Sequence, residues 1–141
     1  MSASHGRCLC GGVEFTVNGP LRDVVYCHCK LCRRSSGHFV AATACTVPHL
    51  TLTRSGSLQW FESSAQARRG FCNVCGSNLF WQPLSGSHMS IMAGTLDDPT
   101  GVKAVSHIHV DSKGDYYTLE DGLAQHLDGA HGVRIPGARE P

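Results

Sequence analysis

Apolar and β-branched residues recur along the chain in runs of four or five, each closed by residues suited to turns. The runs occupy residues 13–17, 24–27, 39–43, 50–53, 58–61, 79–82, 89–92 and 106–110. Their shortness and spacing predict strands. The breaks between them hold Asn18-Gly-Pro, Ser55-Gly-Ser, Cys75-Gly-Ser, Ser85-Gly-Ser and Asp97-Asp-Pro-Thr-Gly, which favour turns. Helical signal is confined to residues 121–127, where Asp121 stands at an N-cap position and Gly122 weakens the pattern. No repeat or linker divides the chain, so residues 1–128 are expected to form one domain. Residues 129–141, with three Gly and two Pro, are expected to be an irregular tail.

Composition sharpens this picture in two ways. The chain has 141 residues, 41% hydrophobic and 16% charged, which suits one modest core and excludes an intrinsically disordered chain. Sixteen Gly and 7% aromatics leave little mass to bury, so apolar packing alone makes a marginal domain. A structural zinc site, worth on the order of 10–16 kcal/mol in small domains, is one way to hold it.

Charge and leader signals narrow the setting. Twelve Lys+Arg against 11 Asp+Glu give a formal net charge of +1. Lys30, Arg33, Arg34 and the Arg68-Arg69 pair form only short basic clusters, so a nucleic-acid partner is not expected. A membrane span needs roughly 20 apolar residues, and the most apolar stretch, residues 39–47, is interrupted by Thr43 and Thr46. No basic-then-apolar leader precedes Cys8. A cytoplasmic location follows as an expectation, and in a reducing compartment cysteines serve metal binding or catalysis more often than disulfides. The even count of eight also permits four disulfides.

Seven of the eight cysteines fall into three clusters: Cys8-Leu-Cys10, Cys27-His-Cys29-Lys-Leu-Cys32 and Cys72-Asn-Val-Cys75. Cys8, Cys10, Cys72 and Cys75 can close a four-thiolate site, with Gly76 allowing positive φ just after the last ligand. Cys27, Cys29 and Cys32 leave a tetrahedron one ligand short, the pattern of a catalytic zinc with an open position. Cys45 or one of the nine histidines could instead close that site. His28, between two ligands, should point away from them, and Cys45 reads as a small buried hydrophobe. A divalent ion with three thiolates carries a net negative charge and is a poor activator of water. An incoming thiol suits it better, because zinc would lower its pKa and hold the nucleophilic thiolate. Lys30, Arg33 and Arg34 either offset that charge, hold a substrate carboxylate, or form an exposed basic turn.

The order CxC-Gly-Gly, then CHCxxCRRxxG, then FCxxCGSxLxW resembles the family of glutathione-dependent formaldehyde-activating enzymes, which also contains the centromere protein V domain. The likeness runs from Cys8-Leu-Cys-Gly-Gly-Val through the two later motifs to His107-Ile-His-Val, Ser112-Lys and Asp121-Gly-Leu. It implies an all-β, tent-like fold of short antiparallel sheets with two zinc ions. Cys8, Cys10, Cys72 and Cys75 would be the structural ligands, and Cys27, Cys29 and Cys32 the catalytic ones. The implied activity is a carbon-sulfur lyase-type reaction, adding glutathione to formaldehyde or reversing that addition; thiol and aldehyde are thus the implied partners. Tyr116, Tyr117, Trp81 and His107 are candidates to line the thiol pocket, and equally ordinary packing residues. No residue stands out as the catalytic acid or base. Two other readings remain: a non-enzymatic zinc module that contacts nucleic acid or protein, and a domain in which only the four-cysteine site keeps its metal.

Overall fold

The computed structural model describes residues 3–129 and Ile135. Eleven strands and one helix follow the order β1 (Ser4–Arg7), β2 (Glu14–Val17), β3 (Val24–Cys27), α1 (Lys30–Ser36), β4 (Val40–Thr46), β5 (Leu50–Arg54), β6 (Leu58–Glu62), β7 (Ala67–Cys72), β8 (Asn78–Pro83), β9 (His88–Met92), β10 (Ala104–Ile108) and β11 (Ala124–Gln125). A three-stranded sheet has the order β1-β2-β5, and an eight-stranded sheet β11-β10-β3-β4-β9-β8-β7-β6. The all-β expectation holds. Pairing is antiparallel except where β10 lies parallel to β3 and to β11. Among the described residues no helix is long and apolar enough to cross a membrane. The tail expected from residue 129 onward falls almost wholly outside the described residues.

Alternation of side chains along each strand gives the larger sheet two different faces. Phe80 of β8, with Met89 and Ile91 of β9, points into the main core with Phe15 and Val17 of β2. The Phe15 and Phe80 rings meet edge to face at 5.3 Å. Trp81, Ser90 and Met92 point the other way and line a cavity. Gly6 of β1 is required here, because a Cβ at that position would strike the Phe15 ring and approach the Thr95 carbonyl to 2.7 Å. Gly6→Ala should therefore cost about 1–3 kcal/mol, the usual penalty for overpacking, measured as a shift of the urea midpoint at constant slope.

Each of the eight predicted runs overlaps a strand, and three strands among the described residues were not foreseen. Ser4-His-Gly-Arg of β1 has no apolar alternation; backbone pairing to β2 holds it. In β7 the adjacent arginines conceal the pattern. Arg68 faces outward over the Trp60 ring at 3.9 Å and donates to Gln82 Oε1 at 2.9 Å, while Arg69 faces inward and is buried.

The predicted helix at 121–127 does not form. Asp121 Oδ1 instead accepts the Leu123 N–H at 3.0 Å, Gly122 takes φ 77°, and the chain continues as β11 beside β10. The one α-helix among the described residues lies elsewhere. Cys29 caps α1 by accepting the Cys32 N–H, and Gly37, at φ 86°, ends it.

Candidate functional site

Both cysteine groups foreseen from the spacing come together. Within each, the sulfurs lie within 4.8 Å of one another, so either group could hold a metal ion. All eight cysteines are free thiols.

In the four-cysteine group, Cys8 and Cys10 sit in the turn after β1, while Cys72 ends β7 and Cys75 sits in the turn to β8. Positive φ at Gly11 and Gly76 (80° and 79°) closes the two turns. Sulfur separations of 3.7 Å for Cys8–Cys10 and 3.6 Å for Cys10–Cys72 match the edge of about 3.8 Å in a tetrahedron with zinc–sulfur bonds near 2.3 Å. Backbone N–H groups of Val13, Gly12 and Cys75 donate to Cys8, Cys10 and Cys72 at 3.3, 3.4 and 3.5 Å. The Ser77 hydroxyl and N–H draw the Cys75 thiol down to about 5, and the Ser57 hydroxyl lowers Cys72. Such donors favour thiolates, the form a metal takes.

The three-cysteine group is built where β3 runs into α1. Cys27 ends the strand, Cys29 is the helix cap and Cys32 lies in the first turn. Cys29 is held well below the ordinary thiol range, mainly by hydrogen bonds from Cys27 and Cys32. Of the alternatives for a fourth ligand, His88 and His109 border the same cavity as the three thiols, whereas Cys45 and His28 do not. Cys45 is fully buried on β4 in the main core, opposite Met89, where burial raises its pKa to about 11. His28 is fully buried and turned away, as its position between two cysteines foretold.

The three thiols open on a cavity of about 710 Å³, a size suited to a small metabolite. Its walls include Lys30, Arg22, Arg69, Trp81, His88 and His109, and among the described residues no Asp or Glu lines it. Arg22 donates to the carbonyls of Ala42 at 3.0 Å and Asp23 at 3.3 Å, and burial draws its pKa down to about 10. His109 adopts the left-handed conformation, φ 54° and ψ 40°, at the cavity wall. Of Lys30, Arg33 and Arg34, Lys30 alone lines the cavity; Arg33 and Arg34 sit in the last turn of α1. Of the four candidate pocket residues, Trp81 lines it.

His107 and Tyr117 belong instead to a buried chain behind β3. Asp121 Oδ2 lies 2.8 Å from His107 Nε2, His107 Nδ1 lies 2.8 Å from His28 Nε2, and His28 Nδ1 lies 2.5 Å from the Tyr117 hydroxyl. An ionised Asp121 can only accept, and this sets the direction of the Asp121–His107 bond. His107 therefore donates through Nε2; where its Nδ1 accepts, His28 donates through Nε2 and Tyr117 donates to His28 Nδ1. Burial, with His107 next, lowers His28 to about 4. Tyr116 lies apart, its hydroxyl 2.7 Å from His38 Nδ1. Replacing His107 with Leu leaves the buried His28 Nε2 without its partner and should cost about 1–3 kcal/mol. Asp121→Asn, at a half-exposed carboxylate, should cost less than His107→Leu in urea titrations of both.

Residues 3–112 match the family model described as glutathione-dependent formaldehyde-activating enzyme. The chain belongs to this family. Both cysteine groups of this formaldehyde-activating family member lie inside the match, whereas Tyr117 and Asp121 lie beyond it. A crystal structure of a Rhodobacter sphaeroides protein is similar at 27% identity and a TM-score of 0.55, covering 71% of this chain and 97% of that one. No curated protein matches in sequence.

Proposed function

We propose that the protein is a zinc-dependent, carbon-sulfur lyase-type enzyme that adds a thiol, glutathione, to formaldehyde or a comparably small aldehyde, or reverses that addition. The observation that carries this reading is an incomplete thiol set opening on a cationic cavity, beside a complete thiol set that does not. Cys8, Cys10, Cys72 and Cys75 would hold a structural zinc, and Cys27, Cys29 and Cys32 a catalytic one. The donor chemistry fits, since both sets are sulfur-only and tetrahedral thiolate sites are those that zinc or iron–sulfur centres occupy. When bound at the three-cysteine group, zinc supplies acidity to an incoming thiol, so that the thiolate rather than the thiol is present at neutral pH.

The chain's own residues do the rest. Lys30, Arg22 and Arg69 make the cavity attractive to an anionic thiol such as glutathione. Trp81 and Met92 give the substrate apolar wall, and the concave site favours a small molecule over a nucleic-acid or protein surface. Free thiols throughout suit a reducing, cytoplasmic setting.

Formaldehyde consumption by the zinc-loaded protein, followed with and without glutathione, tests the reading. A thiol-dependent acceleration is expected, and its absence overturns this substrate pair. Metal analysis gives a second expectation of two zinc ions per chain; one tightly held ion would confine metal to the four-cysteine group.

A further inference from the structure

Arg69 is 6% exposed and lines the cavity beside the three thiols. Its Nη2 donates to Cys32 Sγ at 3.7 Å, yet Nε and Nη1 are buried without a hydrogen-bond partner among the described residues. A buried guanidinium with orphan donors is costly, more so than a neutral group. Among the described residues no carboxylate lines the cavity wall to relieve it. The strand fixes the side chain's direction. Arg69 sits opposite Phe61 and Trp81 in the sheet, so the alternation that turns Arg68 outward turns Arg69 inward. Planar donors that cannot lose their charge at neutral pH are suited to an anionic oxygen.

We propose that Arg69 is the anion-binding residue of this site and that its free donors take an anionic oxygen of the substrate pair. The assignment rests on the thiol–aldehyde reading above. In that reaction the thiolate sulfur's electron pair forms the C–S bond, the carbonyl π pair moves onto oxygen, and the resulting alkoxide takes a proton from solvent. The oxygen bound by Arg69 is either this alkoxide or a carboxylate of the thiol. Its position on Cys32, at the thiol cluster, puts the donors beside the reacting atoms in either case.

The test compares wild type with R69Q and R69K, all zinc-loaded, with zinc content and melting temperature checked. R69Q should lose about 100- to 1,000-fold in kcat/KM for glutathione and formaldehyde, the scale of removing one oxyanion donor. R69K, which keeps the charge without the fork, should fall between. If the oxygen is the alkoxide, kcat carries the loss, the calorimetric Kd for glutathione stays within about threefold, and 2-mercaptoethanol suffers equally. If it is a carboxylate, Kd weakens at least tenfold and the 2-mercaptoethanol rate does not change. Both variants within about threefold of wild type in kcat and Kd, with zinc retained, would overturn the proposal. Should wild type show no thiol-dependent rate, or should the variants not fold, formate titration of wild type decides. A shift of the Arg69 Nε–H resonance keeps the anion site standing without the reaction, and no shift removes it.

Discussion

Cys72→Ser should leave the chain unfolded at 25 °C under conditions in which the wild-type protein is folded. Cys72 is fully buried, ends the strand β7, and accepts from Ser57 and the Cys75 N–H. It also lies 62 residues from Cys10, its sulfur neighbour, joining the β1–β2 turn of the three-stranded sheet to the larger sheet. Removing one of four sulfurs forfeits most of a binding energy on the order of 10 kcal/mol, against a total stability of about 5–15 kcal/mol for an ordinary domain. The net is near or below zero. Far-UV circular dichroism and a flat thermal trace would register the loss, and chelation of the wild type should reproduce it. A Cys72→Ser protein that melted within about 5 °C of wild type would show that the four-sulfur cluster is not what holds the fold. Cys45→Ala is the internal comparison, because Cys45 is equally buried but belongs to neither cluster; it should stay folded with the modest loss of a small core truncation.

What could be read before any coordinates follows from which signals are local. Cysteine spacing is local and chemical, so the partition into Cys8, Cys10, Cys72, Cys75 and Cys27, Cys29, Cys32 agrees with the grouping in space. Period-two alternation is also local, and it placed His28 away from its cysteine neighbours. Strands held by backbone pairing rather than side-chain pattern were invisible: β1 has no apolar residue to announce it. Two arginines in a row carry no mark of which one turns inward, so Arg69 stood only as half of a short basic cluster. Asp121 gave a genuine local signal, a side chain that accepts a nearby N–H, but such a signal serves a turn as well as a helix start. Tertiary pairing of β11 with β10 decided between them. In α1 the helix was hidden because its cap is a cysteine, a residue read first for its metal chemistry.

Cys29→Ser should behave in the opposite way to Cys72→Ser, keeping the fold and losing the activity. The substitution is mild for structure, since Cys29 is half-buried and its local duty is to accept the Cys32 N–H at 3.3 Å as the helix cap. Serine is among the preferred N-caps, so α1 retains its start and the backbone leading out of β3 has no reason to move. Its sulfur is a different matter. Two thiols remain at that group, too few to hold zinc against competition, and the metal content should fall from two ions per chain to one. The melting temperature should drop only by what the lost ion contributes through mass action, RT ln(1 + [L]/Kd), a shift of a few degrees in place of outright unfolding. Turnover of glutathione and formaldehyde should fall by at least about 1,000-fold, beyond the 10- to 100-fold typical of residues that merely support a ligand. A Cys29→Ser protein with one zinc and the wild-type rate would move the chemistry away from Cys27, Cys29 and Cys32 altogether. Equal unfolding of Cys29→Ser and Cys72→Ser would instead make both clusters structural and leave the cationic cavity without a reactive centre.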